Sequence, residues 1–166
     1  VCTPSTFRPP AGHSDATVIT LDAASPLGLV KENLLTNERG FDPKFVETLT
    51  DADTTAYRRR LTSARAFLAK LAETPVGAGM FVEPFDGVTE LSGIATLEPF
   101  RHRGVGTALT ARAVVEAFTH GVDLVFLTTS NDDARRVYQR LGFRTLATKL
   151  TCCEISPGST AGEQSS

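Results

Sequence analysis

The chain has 166 residues, 41% hydrophobic and 22% charged, the balance of one globular domain large enough for a core without covalent staples. Seventeen basic against nineteen acidic residues leave a net charge of -2, which speaks against non-specific binding to nucleic acid or anionic lipid, and no apolar run is long enough to span a membrane. Three cysteines, two of them adjacent (Cys152 and Cys153), make no disulfide framework, and the scattered His13, His102 and His120 lack zinc-like spacing, so the expectation is a reduced, cytoplasmic domain without a metal.

Val1 to Ala16 contains a tandem proline, serines and threonines but no period, and no basic start followed by an apolar stretch. It reads as an irregular segment at a fragment boundary or a processed start. Thr17 to Leu21 alternates as a strand does. Ser25-Pro26 then predicts a helix start, with serine at the cap and proline at the first helical position. Leu27, Val30 and Leu34 follow at helical spacing, and Gly40 is expected to end the helix. A second helix is expected from about Asp53 to Leu61, its Arg58-Arg59-Arg60 run forming a solvated or dipole-favoured end.

From Ala66 the pattern changes to three apolar segments, Ala66 to Leu71, Pro75 to Val82 and Val88 to Leu97. The Asp86-Gly87 pair is a hairpin signal, so these read as consecutive antiparallel strands. Gly104 to His120 is expected as a helix with Ala108, Ala111, Val115 and Phe118 on one face, closed by Gly121. Asp123 to Leu127 reads as a buried strand. Asn131 to Leu141 is a last helix with Ala134, Val137, Tyr138 and Leu141 inward, stopped by Gly142. Phe143 to Cys153 is expected as a final strand, before a polar tail from Ser156 to Ser166. Hairpins first and strand–helix alternation later predict an α/β domain over residues 17–155, with a mixed sheet and helices on both faces.

The most informative segment is Arg101-His102-Arg103-Gly104-Val105-Gly106-Thr107, which leaves a strand and enters a helix. Helix N-termini carry free N–H groups and a positive dipole end, glycines let phosphate approach the backbone, and arginines add charge-assisted bonds. The alternative is a tight turn with solvated arginines. It is not a Walker loop, since no Gly-Lys-Ser/Thr follows, and a dinucleotide fingerprint fails because Leu109 holds its third glycine position.

Glu90-Leu91-Ser92-Gly93-Ile94-Ala95-Thr96, followed by Arg101-x-x-Gly104-x-Gly106, resembles the acetyl-CoA motif of the GNAT superfamily of N-acetyltransferases. Asn131-x-x-Ala134-x-x-x-Tyr138-x-x-x-Gly142-Phe143 is similar to the family's next motif. The resemblance implies a mostly antiparallel, twisted sheet, splayed at the cofactor strand to admit acetyl-CoA, with the first helices shaping an acceptor site for a primary amine.

By that resemblance, the backbone of Ile94, Ala95 and Thr96 binds the pantetheine arm and acetyl carbonyl. Arg101, His102, Arg103, Gly104, Val105, Gly106 and Thr107 surround the pyrophosphate. Asn131 is a helix cap, a cofactor ligand, or both. Tyr138 is either a core aromatic or the residue that protonates the departing thiolate. Glu90 is placed like the general base of some members; its alternative is a solvated strand end, and Glu83 or a water chain are the other routes for the proton. The base that other members carry five residues before the asparagine is Phe126 here.

The chain also departs from the family. Only one strand's worth of apolar residues follows Phe143 where the family usually has a hairpin, and Glu98 displaces the usual proline to Pro99. The exposed edge is expected to be covered by a short last strand, by the segment near Cys2 to Phe7, or by a second copy of the chain in a homodimer. Cys152-Cys153 reads as a strand end, not an acyl carrier. A non-catalytic acyl-CoA-binding domain is the contrasting reading.

Overall fold

The computed structural model describes residues 1–148 apart from 13 and 47. Residues 149–153 of the expected final strand and the whole of the expected polar tail lie outside the described residues. Within them, five strands and four helices follow in the order β1 (Thr17–Leu21), α1 (Leu27–Phe41), α2 (Asp51–Arg60), β2 (Arg65–Leu71), β3 (Thr74–Phe81), β4 (Val88–Thr96), α3 (Val105–Thr119), β5 (Leu124–Phe126) and α4 (Asp132–Arg140). A single 3₁₀ turn, Glu98–Phe100, separates β4 from α3.

The strands form one sheet in the order β1-β2-β3-β4-β5. Neighbours are antiparallel except for β4 and β5, which run parallel. The β3–β4 hairpin turns where the sequence placed it. Asp86 and Gly87 both have positive φ (48° and 73°), the backbone that matches a tight turn to the twist of its strands.

Alternation along β2 separates two cores. Phe67 and Ala69 point to a cluster with Val105, Leu109, Val114 and Ala117 of α3 and with Val125, while Ala66 and Leu68 join Leu21 and Leu61 on the opposite face. Helices therefore cover both faces of the sheet, as expected. On α3 the buried residues are Val105, Leu109, Thr110, Ala111, Ala113, Val114 and Ala117; Ala111 lies inward as expected, whereas Val115, also expected inward, is 44% exposed. The helix is apolar over more than half its circumference, so the periodicity alone left its rotation free by one residue.

Three further expectations are corrected. Ser25 does not cap α1: its hydroxyl bonds Asp22, holding that carboxyl below its ordinary pKa, and Pro26 takes the cap position with no side-chain bond. Gly40 does not end α1, which runs on to Phe41; a Cβ at Gly40 would lie 2.6 Å from Ala95 Cβ, so the glycine lets the helix touch β4. Residues Phe143 to Thr148, the described part of the expected final strand, are not in a strand. The outer edge of β5 is instead met by the N-terminal segment, where Cys2 bridges Val125 in antiparallel fashion and lies fully buried.

α2 begins two residues earlier than expected, because Thr50 and Asp53 form a reciprocal capping box. Among the described residues no helix is long and apolar enough to cross a membrane.

The buried face of α1 is partly polar: Val30, Asn33, Thr36 and Gly40. Leu27, expected on the apolar stripe, is 38% exposed. Asn33 donates to the carbonyl of Phe67 at 2.8 Å and accepts from the Tyr57 hydroxyl at 3.4 Å, tying α1 to β2 and α2. Burial pushes the Tyr57 phenol up to about 12, so it remains a donor. Asn33→Ala should therefore lower the unfolding free energy by about 1–3 kcal/mol, read as an earlier urea midpoint at unchanged slope, with Tyr57→Phe costing less than half as much.

Candidate active site

β4 is hydrogen-bonded to β5 over three residue pairs only, Val88 with Leu124, Thr89 with Val125 and Glu90 with Phe126. Beyond Glu90 the two parallel strands part. The register with β3 shows what turns β4 aside: Ala78 faces Ala95 and Met80 faces Ser92, so Gly93 and Ile94 together oppose Gly79. This is a β-bulge with Gly93 in the left-handed region at φ 63°. A bulge bends its strand and increases the local twist, which carries the upper half of β4 away from β5. Asn37 of α1 donates to the Gly93 carbonyl and fixes the bulge.

The parted strands enclose a cleft of about 1450 Å³. Its floor is Leu91 to Thr96 of β4, including the predicted Ile94, Ala95 and Thr96. One wall is the turn into α3, where Arg101, His102, Gly104, Val105, Gly106 and Thr107 all line the space. Gly104 caps α3 at φ 76° with no side-chain cap bond, and no acidic residue occupies the first turn. The N–H groups of Val105, Gly106 and Thr107 therefore keep their donors for an outside partner. His102 is also left-handed, at φ 60°. A turn with two such residues ahead of a helix start forms a concave nest of amides suited to an anion.

The other wall is α4 and the loop before it. Asn131 caps α4, accepting from the Ala134 N–H at 3.0 Å, and also lines the cleft, so the geometry leaves both of its readings together. Tyr138 faces the cleft with its ring 5.8 Å from that of Phe143. Burial raises its phenol pKa, and no described residue bonds its hydroxyl. It is a protonated, uncommitted O–H in the cleft wall.

Three predicted residues stand differently. Arg101 lines the cleft, but its guanidinium donates to the carbonyls of Thr96 (3.3 Å) and Gly40 (3.4 Å), so it locks the end of β4 to the end of α1. Arg103 is not among the lining residues; it packs over the Phe100 ring at 5.9 Å. Glu90 is likewise outside the lining, at the last pair before the strands part, and so lies at the root of the cleft. Glu83 is exposed beyond β3 and does not line it either.

The sequence did not point to Gly40, Phe41, Arg8, Arg136 or Arg140, all of which line the cleft. Arg136 and Arg140 had a readable signal, since they lie four apart on the helix that carries Tyr138. Arg8 had none: it comes from a segment without a period and reaches the cleft only through the tertiary fold. Four arginines and one aspartate line the space although the whole chain is acidic, so the cleft is set up for an anion. Among the described residues there is no group of three or more His, Cys, Asp or Glu placed to hold a metal ion.

No curated protein matches the sequence. Among solved structures, a GCN5-related N-acetyltransferase from Kribbella flavida is 26% identical over 86% of this chain, with a TM-score of 0.61, and the chain spans 51% of its length. A putative acetyltransferase from Agrobacterium tumefaciens is 20% identical, with a TM-score of 0.66 over 83% of this chain and 99% of its own. An aminoglycoside N-acetyltransferase in complex with CoA is 18% identical, with a TM-score of 0.62 over 87% of this chain and 97% of its own. These last two share the fold. The family model described as acetyltransferase (GNAT) family matches residues 33–143, about two thirds of the chain. With that match over the splayed strand and the turn into α3, the chain belongs to the acetyltransferase (GNAT) family.

Proposed function

We propose that the protein is an N-acetyltransferase that moves an acetyl group from acetyl-CoA to a primary amine by direct attack within a ternary complex. The observation that carries this reading is the free edge of β4 beyond Glu90, continuous with the uncapped N-terminus of α3. An extended, amide-bearing arm can pair with the first as a strand would, and a pyrophosphate fits the second. Acetyl-CoA supplies the acyl group as a thioester.

The residues of the chain handle position and protons. The backbone from Ile94 to Thr96 holds the arm, and the turn from His102 to Thr107 fixes the pyrophosphate. As the new C–N bond forms and the C–S bond breaks, Tyr138 gives its proton to the thiolate. Its raised pKa keeps the phenol protonated throughout the neutral range, as a donor must be. Glu90, at the root of the cleft, takes the amine proton through water, since it does not line the cleft itself.

Three variants separate these roles. Gly104→Glu sets a side chain and an anion where the pyrophosphate goes, so acetyl-CoA affinity measured calorimetrically should fall well over tenfold in a folded protein. Unchanged affinity would sink the acyl-CoA reading. Tyr138→Phe should leave acetyl-CoA binding intact and lower turnover by roughly 10- to 10³-fold, measured as CoA release across a panel of amines. Normal turnover with lost stability would return Tyr138 to the core. Glu90→Gln should cost roughly 10²-fold in turnover and remove the acidic limb of the pH–rate profile. A surviving limb would assign the proton to Glu83 or solvent. Tight acetyl-CoA binding with no CoA release on any amine would favour the non-catalytic alternative.

A further inference from the structure

The arginines of the cleft exceed what the protein itself neutralises. Arg101 is held by two carbonyls, and Arg136 has Asp133 at 3.4 Å. Arg140 uses its Nε on the Arg136 carbonyl at 3.2 Å. Arg8 meets no carboxylate among the described residues, although its own N–H is anchored to the Leu141 carbonyl at 3.0 Å, just beyond the end of α4. The negative end of the α4 dipole accounts for Arg140 being there, but not for bringing a second free guanidinium from a remote segment.

That segment is fixed at both ends of the cleft. Arg8 is tied to Leu141, and Ser14 lies 3.7 Å from where a Cβ on Gly104 would be, at the cap of α3. It also lies outside the stretch that matches the family, residues 33–143. Arg8 and Arg140 have no carboxylate partner among the described residues and, with Arg136, line the same cleft while exposed to solvent, so an anion entering there meets cationic groups that the protein leaves accessible. A cationic acceptor amine would be repelled from this position, which leaves the anionic partner as the better occupant.

We propose that Arg8, together with Arg136 and Arg140, forms a second anion subsite that takes the 3′-phosphate of CoA. This rests on the acyl-CoA reading above. The pyrophosphate is satisfied by backbone amides at the start of α3, whereas a phosphate monoester on the ribose is a compact dianion that calls for guanidinium groups. The N-terminal segment thereby makes the protein selective for CoA over its 3′-dephosphorylated form.

The test titrates the full chain with CoA and with dephospho-CoA by calorimetry at one salt concentration, for wild type, Arg8→Ala and Arg140→Ala. The wild type should prefer CoA by roughly tenfold or more, and each variant should reduce that ratio to a few-fold while leaving dephospho-CoA affinity unchanged. Among the described residues Arg8 makes no side-chain hydrogen bond or ion pair that its loss would break, so thermal melting of that variant should match wild type. A wild-type ratio near one overturns the subsite. So does a ratio that survives both substitutions, which would assign these charges to the acceptor. If wild type binds neither nucleotide, the acyl-CoA reading falls and takes the subsite with it.

Discussion

The structure depends on a strand that gives up its neighbour. Backbone N–H and C=O groups in a sheet are paired almost without exception, and leaving a strand edge open inside a fold is unfavourable unless something else meets it. β4 is paired on both sides up to Glu90 and on one side from there on. Two side chains reach in to soften the loss, Asn37 at the Gly93 carbonyl and Arg101 at the Thr96 carbonyl. The remaining edge faces a cleft walled by two helices. The bulge at Gly93 sets where the parting happens, and α1, packed against β4 through Gly40, keeps the bent strand from relaxing back toward β5.

Charge is distributed to suit the same opening. The chain carries a net -2, yet the cleft collects arginines from three separate parts of the sequence. The exposed acids of α4 sit in its first turn as Asp132 and Asp133, paired with Arg135 and Arg136 at i,i+3. Surface pairs of this kind contribute little to stability. Arg101 shows the opposite use of an arginine: bound to Thr96 and Gly40, it joins strand to helix at the cleft's edge.

The N-terminal segment is part of this architecture. Cys2 pairs with Val125 on the outer edge of β5, and burial pushes its thiol pKa up, as suits a small core residue. Phe7 packs edge-on against Phe118 of α3 at 6.2 Å. The segment thus covers the edge for which the sequence offered a last strand, the N-terminus or a second copy.

The sequence by itself determined most of the elements and the glycine turn into α3. The alternation of β1, the apolar segments that form β2, β3 and β4, the Asp86-Gly87 turn and the capping pattern before α4 are local signals, because hydrogen bonding and steric preference act over a few residues. The spacing of Gly104, Gly106, Asn131 and Tyr138 was legible for the same reason. What stayed hidden was rotation and reach. Val115 turned outward because α3 is apolar on too many sides to specify its own orientation, and Leu27 was left exposed while Asn33 and Thr36 were buried. Gly40 looked like a helix stop and is a contact point with Ala95. Arg8 joined the cleft, and Arg103 and Glu90 stayed out of its lining, through packing between segments far apart in the chain. Such contacts are fixed by the shape of the whole core, which no local pattern encodes.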